Sequence, residues 1–243
     1  MKFPQRFLMA SVVLLPWSTT HAIELNKDFT LSLEAGIYSD YRSRGLSQTQ
    51  GDPAVQGSVV LSHSSGLYAG VWTSNVDFGH GSTTRQEIDY FAGYNWQVTD
   101  DISLDAAYYE YKYPNQAGFN YSEYFATVKA YVVYFGGYYA SDLGGDQSML
   151  YSFIGYENTL SQDIGLNVRY GKVDYKDDVI FSGHGGARDN YKEWQVALNK
   201  EFAGLNWSAS YVDTDLSKTE CFNQNGFDDV CSPAVVVGVS KSF

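Results

Sequence analysis

The chain has 243 residues, with 16 Lys and Arg against 28 Asp and Glu and a formal charge of −12. That balance excludes nucleic acid as an expected partner, because phosphate recognition rests on a basic surface. Aromatic residues are 16% of the chain and Tyr alone occurs 21 times, more than a soluble core needs and in keeping with aromatic girdles at two membrane interfaces.

In chain order, Lys2 and Arg6 precede an apolar run over residues 7–17, followed by Ser18, Thr19, Thr20, His21 and Ala22. A basic start, a short apolar stretch and small residues before a Thr-x-Ala site read as a secretory signal peptide over residues 1–22, with the mature chain starting at Ile23. The apolar run is too short to cross a bilayer as a helix, and no later segment supplies such a helix. Without Lys2 and Arg6 the mature chain carries fourteen basic residues against twenty-eight acidic ones, a formal charge of −14. No long Pro-, Ser- or charge-rich linker divides residues 23–243, which read as one domain.

Period-two alternation then recurs twelve times, over 27–42, 53–63, 66–77, 85–97, 101–113, 121–131, 132–141, 147–158, 162–175, 189–201, 204–216 and 233–243. The fourth segment is the clearest. Ile88, Tyr90, Ala92, Tyr94 and Trp96 share one face, with Glu87, Asp89, Gly93, Asn95 and Gln97 on the other. In a soluble sandwich the apolar face would point inward; in a membrane barrel the same pattern turns inside out, with a polar lumen.

The connections decide between the two. Links at 63–66, 99–101, around Val132, at 158–162 and at 202–203 are tight, whereas those at 43–52, 77–85, 114–120, 142–147, 176–188 and 216–232 are mostly longer and polar. Short periplasmic turns alternating with long external loops are what an outer-membrane barrel requires, and an even strand count returns the chain to the side on which it began. The expected fold is therefore all-β, a transmembrane antiparallel up-and-down β-barrel of about twelve strands in the bacterial outer membrane, surrounded by its lipids. A monomer is the default, since no strand breaks its lipid face with polar residues.

Cys221 and Cys231 are the chain's two cysteines and fall in the last long loop. An exported chain makes a disulfide between them the economical reading; no other thiol exists, and the spacing matches no metal-ligand motif. In the final segment Val235, Val237, Val239 and Phe243 lie on one face, opposite Gly238, Ser240 and Ser242, while Lys241 falls on the apolar face and fits there only by snorkelling to headgroups.

Residues 41–49, Tyr-Arg-Ser-Arg-Gly-Leu-Ser-Gln-Thr, followed by Pro53-Ala54-Val55-Gln56-Gly57, resemble the signature of a proteobacterial family of TorF-type porin-like proteins, Gcw_chp. Ser64-Ser65-Gly66-Leu67-Tyr68-Ala69-Gly70-Val71-Trp72, Ser74-Asn75-Val76-Asp77-Phe78 and Glu87-Ile88-Asp89-Tyr90 with Gly93-Tyr94 are similar to the same family, most densely over 38–97. The resemblance implies an outer-membrane barrel and a channel; it supplies no catalytic residue and no substrate. Phe243 likewise resembles the terminal aromatic of bacterial barrels that is read by the barrel assembly machinery.

If Phe29, Leu31, Leu33, Ala35 and Ile37 face lipid, Glu34, Asp40, Arg42 and Arg44 face the lumen on the same strand. Arg42 and Arg44, two apart on one face near the external mouth, either hold a passing anion or pair with Asp40 and Glu87 as a wall network. The lumen-facing set continues through Gln56, Ser58, Glu87, Asp89, Glu123, Lys129, Asn167, Arg169, Glu193, Gln195, Asn199, Asn206 and Ser208, with Tyr38, Tyr68, Trp72, Tyr109 and Tyr131 also inward. Twelve strands fall between filled eight-stranded barrels and wide sixteen-stranded pores, so the expectation is a narrow polar lumen passing small hydrophilic solutes or ions. Selectivity is expected from the charges around Asp40, Arg42, Arg44, Glu87 and Asp89, and Asp174, Asp177 and Asp178 would favour cation entry at low salt.

Two other classes remain. One is an occluded structural or adhesive barrel whose external loops bind a partner. The other is an outer-membrane lipid hydrolase, which needs a base within reach of a Ser nucleophile; His63, His80 and His184 all fall in turns or loops, where turn and loop roles are the simpler reading. No cofactor or metal site is expected.

Overall fold

The computed structural model describes residues 22–144, 146–183 and 185–243. Most of the expected leader, with Gly145 and His184, lies outside these residues. The wall comprises Phe29–Tyr38 (β1), Ala54–His63 (β2), Leu67–Asn75 (β3), Gln86–Thr99 (β4), Ile102–Lys112 (β5) and Tyr121–Ala130 (β6). It continues with Val133–Ala140 (β7), Met149–Leu160 (β8), Ile164–Tyr175 (β9), Asn190–Phe202 (β10), Leu205–Thr214 (β11) and Ala234–Ser242 (β12). Each strand pairs antiparallel with the next. β1 closes the ring, pairing β2 from Phe29↔His63 to Tyr38↔Ala54 and β12 from Gly238↔Tyr38 to Ser242↔Glu34. Full closure leaves no wall strand with an open edge. A further two-residue strand, Ile23–Glu24, pairs outside the ring with Thr30 and Leu31.

Alternation sets the two faces. Val59, Leu61, Ile154, Val196, Leu198 and Val237 stand exposed on the outside, with Tyr108, Tyr124, Tyr139 and Tyr211 toward the long-loop end and Trp96, Phe202, Trp207 and Phe243 toward the short-turn end. An apolar band between two aromatic girdles is the surface a bilayer requires. Lys241 lies over the Phe243 ring, its Nζ 5.0 Å from the centroid, at the edge of that band. No helix among the described residues is long and apolar enough to cross a membrane.

Five short turns join alternate strands, among them Tyr131–Val132 and Ala203–Gly204. Ala203 and Gly204 both have positive φ, 56° and 72°, the twist-matched geometry of two-residue hairpins. At the opposite end lie six loops, L1 (39–53), L2 (76–85), L3 (113–120), L4 (141–148), L5 (176–189) and L6 (215–233). The first expected strand, 27–42, stops at Tyr38, because the chain turns into the barrel there. Tyr131, expected inside, is 68% exposed with φ 56° in its turn.

L6 contains the helix Lys218–Asn225 (α1), started by Ser217, whose hydroxyl accepts from Glu220 N while Glu220 accepts from Ser217 N, and ended by Gly226 at φ 77°. Burial alone would raise the Glu220 carboxyl. Donors from Ser217, together with the Arg188 guanidinium, outweigh that and hold it below its ordinary value of 4.5. Cys221 and Cys231 are joined by a disulfide that ties α1 to the returning chain. On the barrel side, Gln224 Nε2 donates to the Tyr175 hydroxyl at 3.0 Å, so α1 sits across the long-loop mouth.

Candidate functional site: the barrel lumen

L1 enters the lumen as a tight hairpin. Arg42–Ser43 pairs with Leu46–Ser47, and the two residues between, Arg44 and Gly45, have φ of 47° and 86°, a turn for which Gly at the second position is favoured. Asp40 fixes its base, accepting from Arg42 Nε at 2.5 Å, Ser47 Oγ at 2.6 Å and Thr49 Oγ1 at 2.9 Å. Arg42 Nη1 donates on to the carbonyls of Val230 and Ser232, both at 3.0 Å, and Ser47 N to the Val230 carbonyl at 2.8 Å. L6 is therefore latched over L1.

The tip is anchored more deeply. Arg44 is 1% exposed; its Nη2 donates to both Glu123 oxygens at 2.7 Å, and its guanidinium lies 5.0 and 5.4 Å from the ring centroids of Tyr151 and Tyr138. A guanidinium pressed between aromatic faces and a carboxylate meets its charge and its planarity together. The Tyr191 hydroxyl donates to the Arg44 carbonyl at 3.0 Å, and that of Tyr41 to Glu87 at 3.2 Å. Around this anchor Tyr109, Tyr111, Tyr121, Phe125, Tyr138, Tyr151 and Phe153 fill the lumen along β5 to β8 with ring-to-ring contacts.

A cavity of about 210 Å³ lies beneath the hairpin, along β1, β2 and β9 to β12. Asp40, Tyr41, Arg42 and Gly45 line its roof; Glu34, Gln56, Ser58, Asn167, Arg169, Gln195, Asn199, Asn206, Ser208 and Ser210 line its walls, with Tyr38, Trp72, Phe91 and Tyr134 between them.

Arg42 and Arg44 are thus not neighbours on one wall face, as the strand reading required. The hairpin sends Arg42 to Asp40 and L6 and Arg44 across the lumen to Glu123, not to Glu87. Glu87, Asp89 and Glu123 point inward but are fully buried and lie outside the cavity lining. Lys129 pairs with Glu157 toward the short-turn end, also away from that lining. Arg169 does line the cavity, donating from Nε to Glu193 at 3.1 Å and from Nη2 to Gln195 at 3.0 Å. Asp174 is paired with Lys172. His63 is held in its turn by Ser65, whose backbone N donates to Nδ1 at 3.1 Å, and the His80 ring packs at a tilt against Phe227 in the loop cap. No group of three or more His, Cys, Asp or Glu that could hold a metal occurs among the described residues.

Gly45 tests the seating of L1. A Cβ there would lie 2.3 Å from Thr214 Cγ2 and 3.2 Å from Glu193 Cβ, at φ +86°. Left-handed backbone alone costs a β-branched residue roughly 1–2 kcal/mol. Gly45→Val should lift the hairpin and expose the Arg42 and Arg44 bonds to trypsin in an otherwise folded barrel; cleavage no faster than in the parent would show that L1 does not need this close approach.

The structure is similar to that of a KdgM porin, with a TM-score of 0.53 and 10% identity over 87% of this chain and 99% of that one. It is also similar to a NanC porin, with a TM-score of 0.51 and 11% identity over 86% and 97%. A KdgM porin in complex with disordered oligogalacturonate gives a TM-score of 0.50 and 9% identity over 88% and 98%. At these identities the likeness concerns the fold. No curated protein sequence matches the chain. The family model described as a bacterial protein of unknown function, Gcw_chp, matches residues 22–243, and the chain belongs to that family.

Proposed function

We propose that the protein is an outer-membrane channel for passive diffusion of small hydrophilic solutes or ions, narrowed by L1. In this reading residues 1–22 direct export, the short turns lie in the periplasm, the six long loops face outward, and Phe243 serves recognition by the barrel assembly machinery. The observation that carries it is the cavity beneath the hairpin: a barrel built only as a scaffold gains by filling its lumen, yet here open space lined by hydroxyls, amides and charged groups among apolar side chains stands beside a packed aromatic half. The porin-like fold supports the same reading. Chemistry on lipid finds no support in the placement of His63 or His80, and the barrel is taken as a monomer.

The L1–L6 latch over the long-loop mouth favours a second reading, an occluded barrel that acts through its loops. One experiment separates them. The refolded mature protein in a planar bilayer should give discrete conductance steps, small because the cavity occupies only part of the cross-section. A folded but silent barrel would overturn the channel and leave the occluded reading.

A further inference from the structure

The charges of the cavity nearly cancel. Asp40 is held by Arg42, and Arg169 by Glu193. Of the groups expected to set selectivity, Arg44, Glu87 and Asp89 are sealed in the packed half of the lumen, as is Glu123, where a passing ion does not meet them. Glu34 is different: it lines the cavity from the middle of β1 and makes no ion pair among the described residues. The polar group beside it on β12 is a neutral hydroxyl, that of Ser240. Around it Gln56, Ser58, Asn199, Asn206, Ser208 and Ser210 offer neutral donors and acceptors to the same space, the means by which a lumen replaces the water of a stripped ion or polar solute without adding charge.

Resting on the channel reading above, we propose that Glu34 is the specificity-determining residue of the lumen and makes it select small cations and uncharged polar solutes over anions. A fixed carboxylate with no internal cation attracts every cation that enters and repels every anion, and within a few ångströms a layer of salt does little to screen it. The neutral lining passes uncharged solutes without preference of sign. Arg42 and Arg169 do not offset this, since each already faces a carboxylate.

The test is the reversal potential of single channels in a tenfold KCl gradient at about pH 8. The parent should prefer potassium to chloride, Glu34→Gln should lower the permeability ratio about fivefold while keeping conductance steps, and Glu34→Lys should invert the preference. Asp228→Asn, on the exposed part of L6, should leave the ratio unchanged. A conducting Glu34→Gln channel with the parent's ratio would overturn the role of Glu34 and leave the channel standing. A folded parent without conductance would overturn both.

Discussion

Replacing Arg44 with alanine is expected to destabilise the barrel by about 3–5 kcal/mol, the range for removing one partner of a buried ion pair. Glu123 is 0% exposed and takes both of its guanidinium contacts from Arg44, with the Tyr111 hydroxyl as its other donor. Without the arginine it becomes a buried carboxylate facing aromatic rings. The same change removes the cation from the faces of Tyr138 and Tyr151 and takes the tip anchor from L1, so the hairpin should leave the lumen as stability falls. Arg44→Lys should recover little, because an ammonium cannot bind both carboxylate oxygens in a planar fork or stack between rings. Urea midpoints in lipid vesicles measure the loss. Adding Glu123→Gln to Arg44→Ala should cost far less than the two single changes summed, since the unpaired charge is gone. A single-mutant loss under about 0.5 kcal/mol, or strict additivity, would show that the pair does not hold the hairpin.

The twelve strands were legible because a wall with lipid on one side and water or packed polar groups on the other imposes period two on every segment, and because loop lengths alternate with membrane side. Val132 marked a reversal although the turn holds only two residues. The course of the loops was not legible in this way. Residues 39–53 have the length and polarity of an external loop, and nothing local tells that Arg44 will meet Glu123, 79 positions away. The available signals were Arg44-Gly45, a possible two-residue turn, and buried-type residues such as Tyr41 and Leu46 inside a polar stretch. For α1 the signal was stronger: Ser217-x-x-Glu220 is a capping box in plain sequence. Alternation also places side chains inward without saying whether they are packed. Glu87 and Glu34 follow the same rule on their strands, yet one is sealed beneath Tyr41 and the other faces open space, because that outcome depends on the summed volume of rings from β5 to β8 and on where the hairpin lands.

Asp89→Leu is expected to stabilise the barrel by about 1–2 kcal/mol, against the usual direction for a buried substitution. Asp89 is 0% exposed and neither of its carboxyl oxygens accepts from an amide, hydroxyl or cation among the described residues; its polar neighbour is the Glu87 carboxyl, two residues along the same face, with which it hydrogen-bonds only by the two acids sharing a proton. The other buried acids of the lumen are served: Glu123 by Arg44, Glu193 by Arg169 and Tyr151, Glu87 by Tyr41. An acid that loses its hydration with no donor but another acid opposes folding by most of its desolvation penalty, and leucine, which has the same branching but two bulkier methyls, removes that penalty at a smaller overpacking cost between Trp72 and Tyr111. The urea midpoint should therefore rise, with L1 as resistant to trypsin as in the parent. A fall would mean that the folded barrel supplies Asp89 with a donor after all. A rise with unchanged ion selectivity would separate the acids buried under the hairpin from Glu34, which faces the cavity without a cationic partner among the described residues.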